Sequence, residues 1–154
     1  MSENKSLYSV TPLIESKTIQ NVFYKMECDQ PSFSFKIRGM EKLCRFHLEN
    51  GVKRFVASSG GNAGYSLAYV GQQLDLEVSV IVPSTTTSYM IDKIISLGAK
   101  VEIYGDVWDE ANIRALEIAD RTDAVFVSPF DDPLLWDGHS TVIDECKIQM
   151  KKPG

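Results

Sequence analysis

Nowhere in this sequence do about eighteen apolar residues run together, so a membrane-spanning helix is not expected. The stretch Met1 to Val10 is polar and lacks the apolar centre of a secretory signal. Cysteine is scarce: Cys28, Cys44 and Cys146 are odd in number and far apart, which argues against a disulfide framework or a metal knuckle and for reduced thiols. These absences predict a soluble, cytoplasmic protein. Excess positive charge is also missing. With a net charge of -5 and a pI near 5.0, the chain is a poor match for the phosphate backbone of nucleic acid, whose binding depends on clustered Lys and Arg. No Gly-Lys-Ser/Thr follows any glycine-rich turn, so a P-loop is excluded. There is no internal repeat or low-complexity linker, and no run of three glycines.

What is present is enough to bury one core: 154 residues, 44% hydrophobic and 24% charged. From Arg54 onward, short β-branched runs alternate with helical patterns. The runs at Arg54 to Ala57, Val78 to Val82, Val101 to Tyr104 and Ala124 to Val127 read as strands. Between them, Ala63, Leu67, Val70 and Leu74 share one helical face, as do Met90, Ile91, Ile94 and Ile95, and then Val107, Ala111, Ala115 and Ile118. This rhythm predicts an α/β fold, a mainly parallel sheet with helices on both faces. Met40, Leu43, Cys44 and His47 place an earlier helix, with Asn50 and Gly51 supplying a left-handed cap. Lys36 then lies near its start. A final helix is expected over Leu134 to Lys147, after the turn-rich Ser128 to Pro133.

Two segments carry candidate chemistry. Ser58-Ser59-Gly60-Gly61-Asn62-Ala63-Gly64 connects a strand to a helix N-terminus, where exposed N–H groups and the positive dipole end favour a carboxylate or phosphate. Equally, the glycines could simply permit a tight turn, with Asn62 as helix cap. The second segment is Gln30-Pro31-Ser32-Phe33-Ser34-Phe35-Lys36-Ile37-Arg38-Gly39. A lysine at a helix start faces the wrong end of the dipole, which helps keep its amine neutral and nucleophilic, as Schiff-base chemistry requires. The plain alternative is a surface lysine lying over Phe33 or Phe35.

The segment Ser34 to Gly39 resembles the lysine motif of L-serine/L-threonine dehydratases, pyridoxal-phosphate enzymes of the tryptophan synthase β-subunit fold. The resemblance continues in order through Ser58 to Gly64, Ile81-Val82-Pro83-Ser84-Thr85-Thr86, Leu97-Gly98-Ala99 and Phe130-Asp131-Asp132-Pro133-Leu134-Leu135-Trp136-Asp137-Gly138-His139. It spans Thr11-Pro12-Leu13 to Lys152-Pro153-Gly154 and corresponds to the N-terminal portion of such enzymes. Ile37 after the lysine and Phe130 to His139 look most like the serine dehydratase branch.

The resemblance implies that Lys36 bonds to the aldehyde of pyridoxal 5'-phosphate and later takes the α-proton of the amino acid. It implies that Phe35 packs on the cofactor ring, that Asn62 holds its 3-hydroxyl, and that Ser59, Gly60 and Asn62 hold the substrate carboxylate. The activity implied is β-elimination of L-serine to pyruvate and ammonia, or of L-threonine to 2-oxobutanoate, by a homodimer in the full-length parent. Residues 35–137 would form the small α/β domain, 1–34 an incomplete segment of the large domain, and 138–154 the return into it. The family's glycine-rich phosphate cup is expected beyond this fragment, and the alternative is a non-catalytic module that pairs with full-length relatives. No metal site is expected, since Asp131 and Asp132 lack further ligands and suit a turn and cap. His139, without a partner in sequence, reads as structural.

Overall fold

A computed structural model describes residues 5–150. The outermost parts of the expected segments 1–34 and 138–154 lie outside them. A short antiparallel hairpin, β1 (Leu13–Glu15) and β2 (Phe23–Lys25), comes first, followed by one turn of 3-10 helix at Glu27–Asp29. Then α1 (Lys36–Glu49) leads into the alternating region: β3 (Arg54–Ala57), α2 (Asn62–Leu74), β4 (Glu77–Val82), α3 (Ser88–Ser96), β5 (Lys100–Ile103), α4 (Trp108–Arg121), β6 (Val125–Val127) and α5 (Pro133–Met150). All three pairings of the second sheet are parallel, in the order β5-β4-β3-β6.

Side-chain alternation along the strands fixes which helix lies where. Phe55, Ala57, Val78, Val80, Val82 and Val127 point to one face, where they pack with Ile37, Met40 and Leu43 of α1, Leu67 and Val70 of α2, Ile94 of α3 and Leu135 of α5. Val56 and Ile81 point to the other, where Ala111 and Ala115 of α4 cover them. Helices therefore flank both faces, and the second face is covered by α4. Small residues on α4 allow that close cover.

Helix ends follow local chemistry. Gly51, at φ 84°, takes the left-handed position after α1, while Asn50 at φ −93° does not. Thr87 caps α3 through Met90 N (3.4 Å). Glu110 reaches back to accept from Asp106 N (2.6 Å) ahead of α4. Asp132 Oδ1 accepts from Leu134 N (2.7 Å), and Pro133 opens α5, where a missing N–H costs nothing. The expected cap at Asn62 is not found: Gly61 holds the N-cap position without a side-chain bond, and Asn62 is the first residue of α2.

The hairpin region, which has no long hydrophobic period, is tied down by charge. Arg38, fully buried on α1, donates to Glu27 through Nε and Nη2 (both 2.8 Å) and to Glu145 through Nη1 (2.7 Å) and Nη2 (2.9 Å). It also reaches Thr141 Oγ1 (3.1 Å) and Ser9 O (3.3 Å), with Tyr8 stacked 4.6 Å from the guanidinium. Burial opposes ionisation of both glutamates, but the bonds and charge of Arg38 outweigh it and hold both below the usual carboxylate range. Two glycines let α1 and α5 touch at this crossing: a Cβ on Gly138 would stand 2.5 Å from Arg38 O and 2.6 Å from Gly39 Cα.

Candidate active site

Strand order reverses at β3, since β4 and β5 continue to one side while β6 returns to the other. Such a switch point opens a crevice at the carboxyl ends of the strands. A cleft of about 380 Å³ lies there, lined by Lys36, the Ser59-Gly60-Gly61-Asn62-Ala63 loop, Pro83, Thr86, Trp108, Pro129 and Phe130. Each lining segment leaves the end of a strand or opens a helix, so a rigid sheet positions the whole rim.

The loop after β3 folds tightly over the start of α2. A Cβ on Gly64 would fall 1.8 Å from Ser59 O, a backbone collision that only glycine avoids. Ser59 Oγ accepts from Gly61 N at 3.3 Å. With no side-chain cap on α2, its first N–H groups are left to a ligand or water, and the dipole there favours an anion. Beneath the loop, Ser58 Oγ donates to Asn112 Oδ1 (2.7 Å), and Trp108 Nε1 donates to Ser58 O (2.6 Å).

Lys36 is the first residue of α1, and its Nζ donates to Pro129 O at 2.6 Å. The amine lies 5.2 Å from the Phe35 ring centroid and 5.5 Å from that of Phe130. Burial pushes its pKa down. No carboxylate pairs with it among the described residues.

Of the residues singled out from sequence, Lys36, Ser59, Gly60 and Asn62 meet at this cleft. Phe35 stands at its margin, half-exposed, with the amine of Lys36 over its ring. His139 stands behind Phe35, edge-on at 4.9 Å, with both ring nitrogens buried and unpartnered. Burial, reinforced by Lys36 and Arg38, holds its pKa down to about 4, so it is neutral. Sequence reasoning missed Trp108 as a wall of the cleft: its only signal was a tryptophan at the mouth of a β-to-α turn. A second cavity, about 420 Å³ between α1 and α5, is lined by Glu41, Arg45, Lys42 and Asp137. Those charges already pair with one another, and among the described residues no unpaired lysine lines it.

Comparison with known proteins gives the family and the fold. A family model described as pyridoxal-phosphate dependent enzyme matches residues 5–153. The chain is 40% identical over its full length to L-serine dehydratase/L-threonine deaminase of Mus musculus, covering 49% of that protein. It is 43% identical over 90% of its length to L-serine dehydratase of Dictyostelium discoideum, covering 44%. Among solved structures, processed threonine deaminase isoform 2 of Solanum lycopersicum superposes with TM-score 0.89 at 31% identity, over 95% of this chain and 44% of that one. The L-serine ammonia-lyase of Rhizomucor miehei gives TM-score 0.87 at 30% identity, over 97% and 49%. The chain thus spans about half the length of the relatives it matches. A parallel α/β unit with a lysine and a glycine-rich loop at its switch point, matched over nearly all its length, belongs to the pyridoxal-phosphate-dependent enzyme family, alongside its serine dehydratase and threonine deaminase members.

Proposed function

We propose that these residues form the lysine-bearing half of an amino-acid dehydratase that takes water from L-serine, and less readily from L-threonine. The observation that carries this is the meeting of Lys36 and the Ser59 to Asn62 loop in one cleft, although a strand and a helix separate them in sequence.

The residues fit pyridoxal 5'-phosphate in three respects. Lys36 offers an amine whose pKa is already lowered, Phe35 offers a half-exposed ring, and Asn62 offers a side chain open to the cleft for the 3-hydroxyl. The cofactor, once bound, supplies the electron sink for the negative charge that develops at the α-carbon. Ser59, Gly60 and Asn62, with the first N–H groups of α2, hold the substrate carboxylate and so fix which bond is presented for cleavage. The free Nζ of Lys36 accepts the α-proton. The β-hydroxyl then leaves as water, and the released 2-aminoacrylate hydrolyses to pyruvate and ammonia. Segments 1–34 and 138–154 are assigned to the large domain, and 35–137 to the small one. The resemblance places the cofactor phosphate on a glycine-rich run, and this sequence offers no run of three glycines; pairing of two copies is proposed for the full-length parent.

The test supplies the chain with the remaining half of a relative such as the mouse protein and follows pyruvate release from L-serine. Activity that falls at least a thousandfold in Lys36→Ala supports the reading. Full activity without Lys36 contradicts it.

A further inference from the structure

Lys36 is a cation in a half-buried place without a carboxylate partner, yet its amine is not loose. Pro129 O accepts its N–H at 2.6 Å, and the Phe35 and Phe130 rings lie 5.2 and 5.5 Å from it. The Pro129 carbonyl is itself aimed by a braced turn: Ser128 Oγ accepts from Phe130 N (3.2 Å) and Asp131 N (2.9 Å), and Trp136 Nε1 donates to Phe130 O (3.2 Å). Trp108 backs the Phe130 ring with centroids 6.1 Å apart. Such bracing is more than a half-exposed lysine needs to find water.

We propose that the Pro129 carbonyl and the faces of Phe35 and Phe130 form a neutral seat for the Lys36 ammonium, held at the rim of the cleft whenever the amine is not covalently engaged. A charge-assisted hydrogen bond and two π faces stabilise a cation. A carboxylate in the same place would hold the proton far more strongly. A neutral seat grips the ammonium formed when Lys36 takes a proton and still lets that proton go. His139 of α5, which feels the Lys36 charge, stays neutral, and Arg38 is committed to Glu27 and Glu145. No neighbouring charge substitutes for the seat among the described residues. The role in turnover rests on the proposed function, but the seat itself does not.

The experiment needs no cofactor. The purified chain is acetylated with trace acetic anhydride across a range of pH, and labelling at Lys36 is read by peptide mass mapping against exposed Lys53 as internal standard. The midpoint of the labelling curve reports how strongly the ammonium is held, while its high-pH plateau reports reagent access. Phe130→Leu keeps apolar bulk at a position 68% exposed, so the fold should survive. It should lower the Lys36 midpoint by about 0.3 to 0.7 in pH, a two- to fivefold faster labelling below the midpoint, and Phe130→Tyr should restore it. A midpoint unchanged or raised in Phe130→Leu, or a Tyr variant that behaves like Leu, overturns the seat. If the midpoint falls as expected while pyridoxal phosphate never bonds at Lys36, the seat stands and the functional reading fails.

Discussion

Replacing Arg38 with methionine keeps most of the buried volume and deletes the charge, so it isolates what the ionic junction contributes. The guanidinium is fully buried and makes six hydrogen bonds, four of them to Glu27 and Glu145, whose side chains are 15% and 12% exposed. Removing one partner of a buried pair costs about 3–5 kcal/mol because the other charge is left desolvated. Here Glu145 keeps Lys25, Glu27 keeps Thr11 (2.6 Å) and Gln30 (3.1 Å), and both carboxylates reach some water. The expected loss is therefore about 2–4 kcal/mol at pH 7. With a urea slope of about 2 kcal/mol/M, the unfolding midpoint should fall by about 1–2 M. The deficit should also depend on pH. The folded-state pKa values of Glu27 and Glu145 are lowered, so their contribution is present above the unfolded carboxylate value and fades as pH falls through the folded values. Urea unfolding followed by circular dichroism at pH 7 and near pH 4 measures both. A deficit under about 1 kcal/mol at pH 7, or one that grows on acidification, would refute the reasoning.

Gly64→Ala should cost about 3 kcal/mol or more, because its Cβ would collide with the Ser59 backbone oxygen rather than with a yielding side chain; thermal unfolding reads this, and a near-neutral change would mean the loop is not held as described. His139→Leu removes a neutral ring whose folded pKa, about 4, lies below the unfolded value. The wild type gains that stability fully above pH 6.5 and loses it as pH falls towards 4, so the variant should gain on the wild type by about 1 kcal/mol between pH 7 and 4.5, after discounting for partial exposure. Urea titrations at the two pH values check it, and parallel pH profiles would count against a buried neutral imidazole.

The alternating half of the fold was legible because each strand is a compact β-branched run and each helix carries its apolar residues on one face. Arg54–Ala57 falls where the pattern put it, and β5 begins one residue earlier than expected, with Tyr104 N still bonded to Val82 O (2.8 Å). The hairpin Leu13–Glu15 with Phe23–Lys25 was not legible beyond the expectation that 1–34 form an incomplete domain segment: three-residue strands carry too little period. Its anchor is Arg38, whose partners Glu27 and Glu145 lie 11 and 107 residues away, a distance that no local pattern encodes. Lys36 and the Ser59 to Asn62 loop could be named from their motifs. That Pro129, Phe130 and Trp108 complete the same cleft depended on β6 returning beside β3, a choice of strand order that composition and periodicity leave open.

The central claim is that Lys36 is the amine that meets the cofactor. The direct measurement incubates the purified chain with pyridoxal phosphate, fixes any imine with borohydride and maps the pyridoxyl group by mass spectrometry. The family resemblance seats the cofactor phosphate on a glycine-rich run that this sequence lacks, so binding should be weak and pyruvate release from serine negligible. Nonetheless, the label should concentrate on Lys36 above exposed lysines such as Lys53 and Lys100, and that excess should vanish in Lys36→Ala. Label spread evenly over surface lysines, with the same yield in Lys36→Ala, would contradict the account.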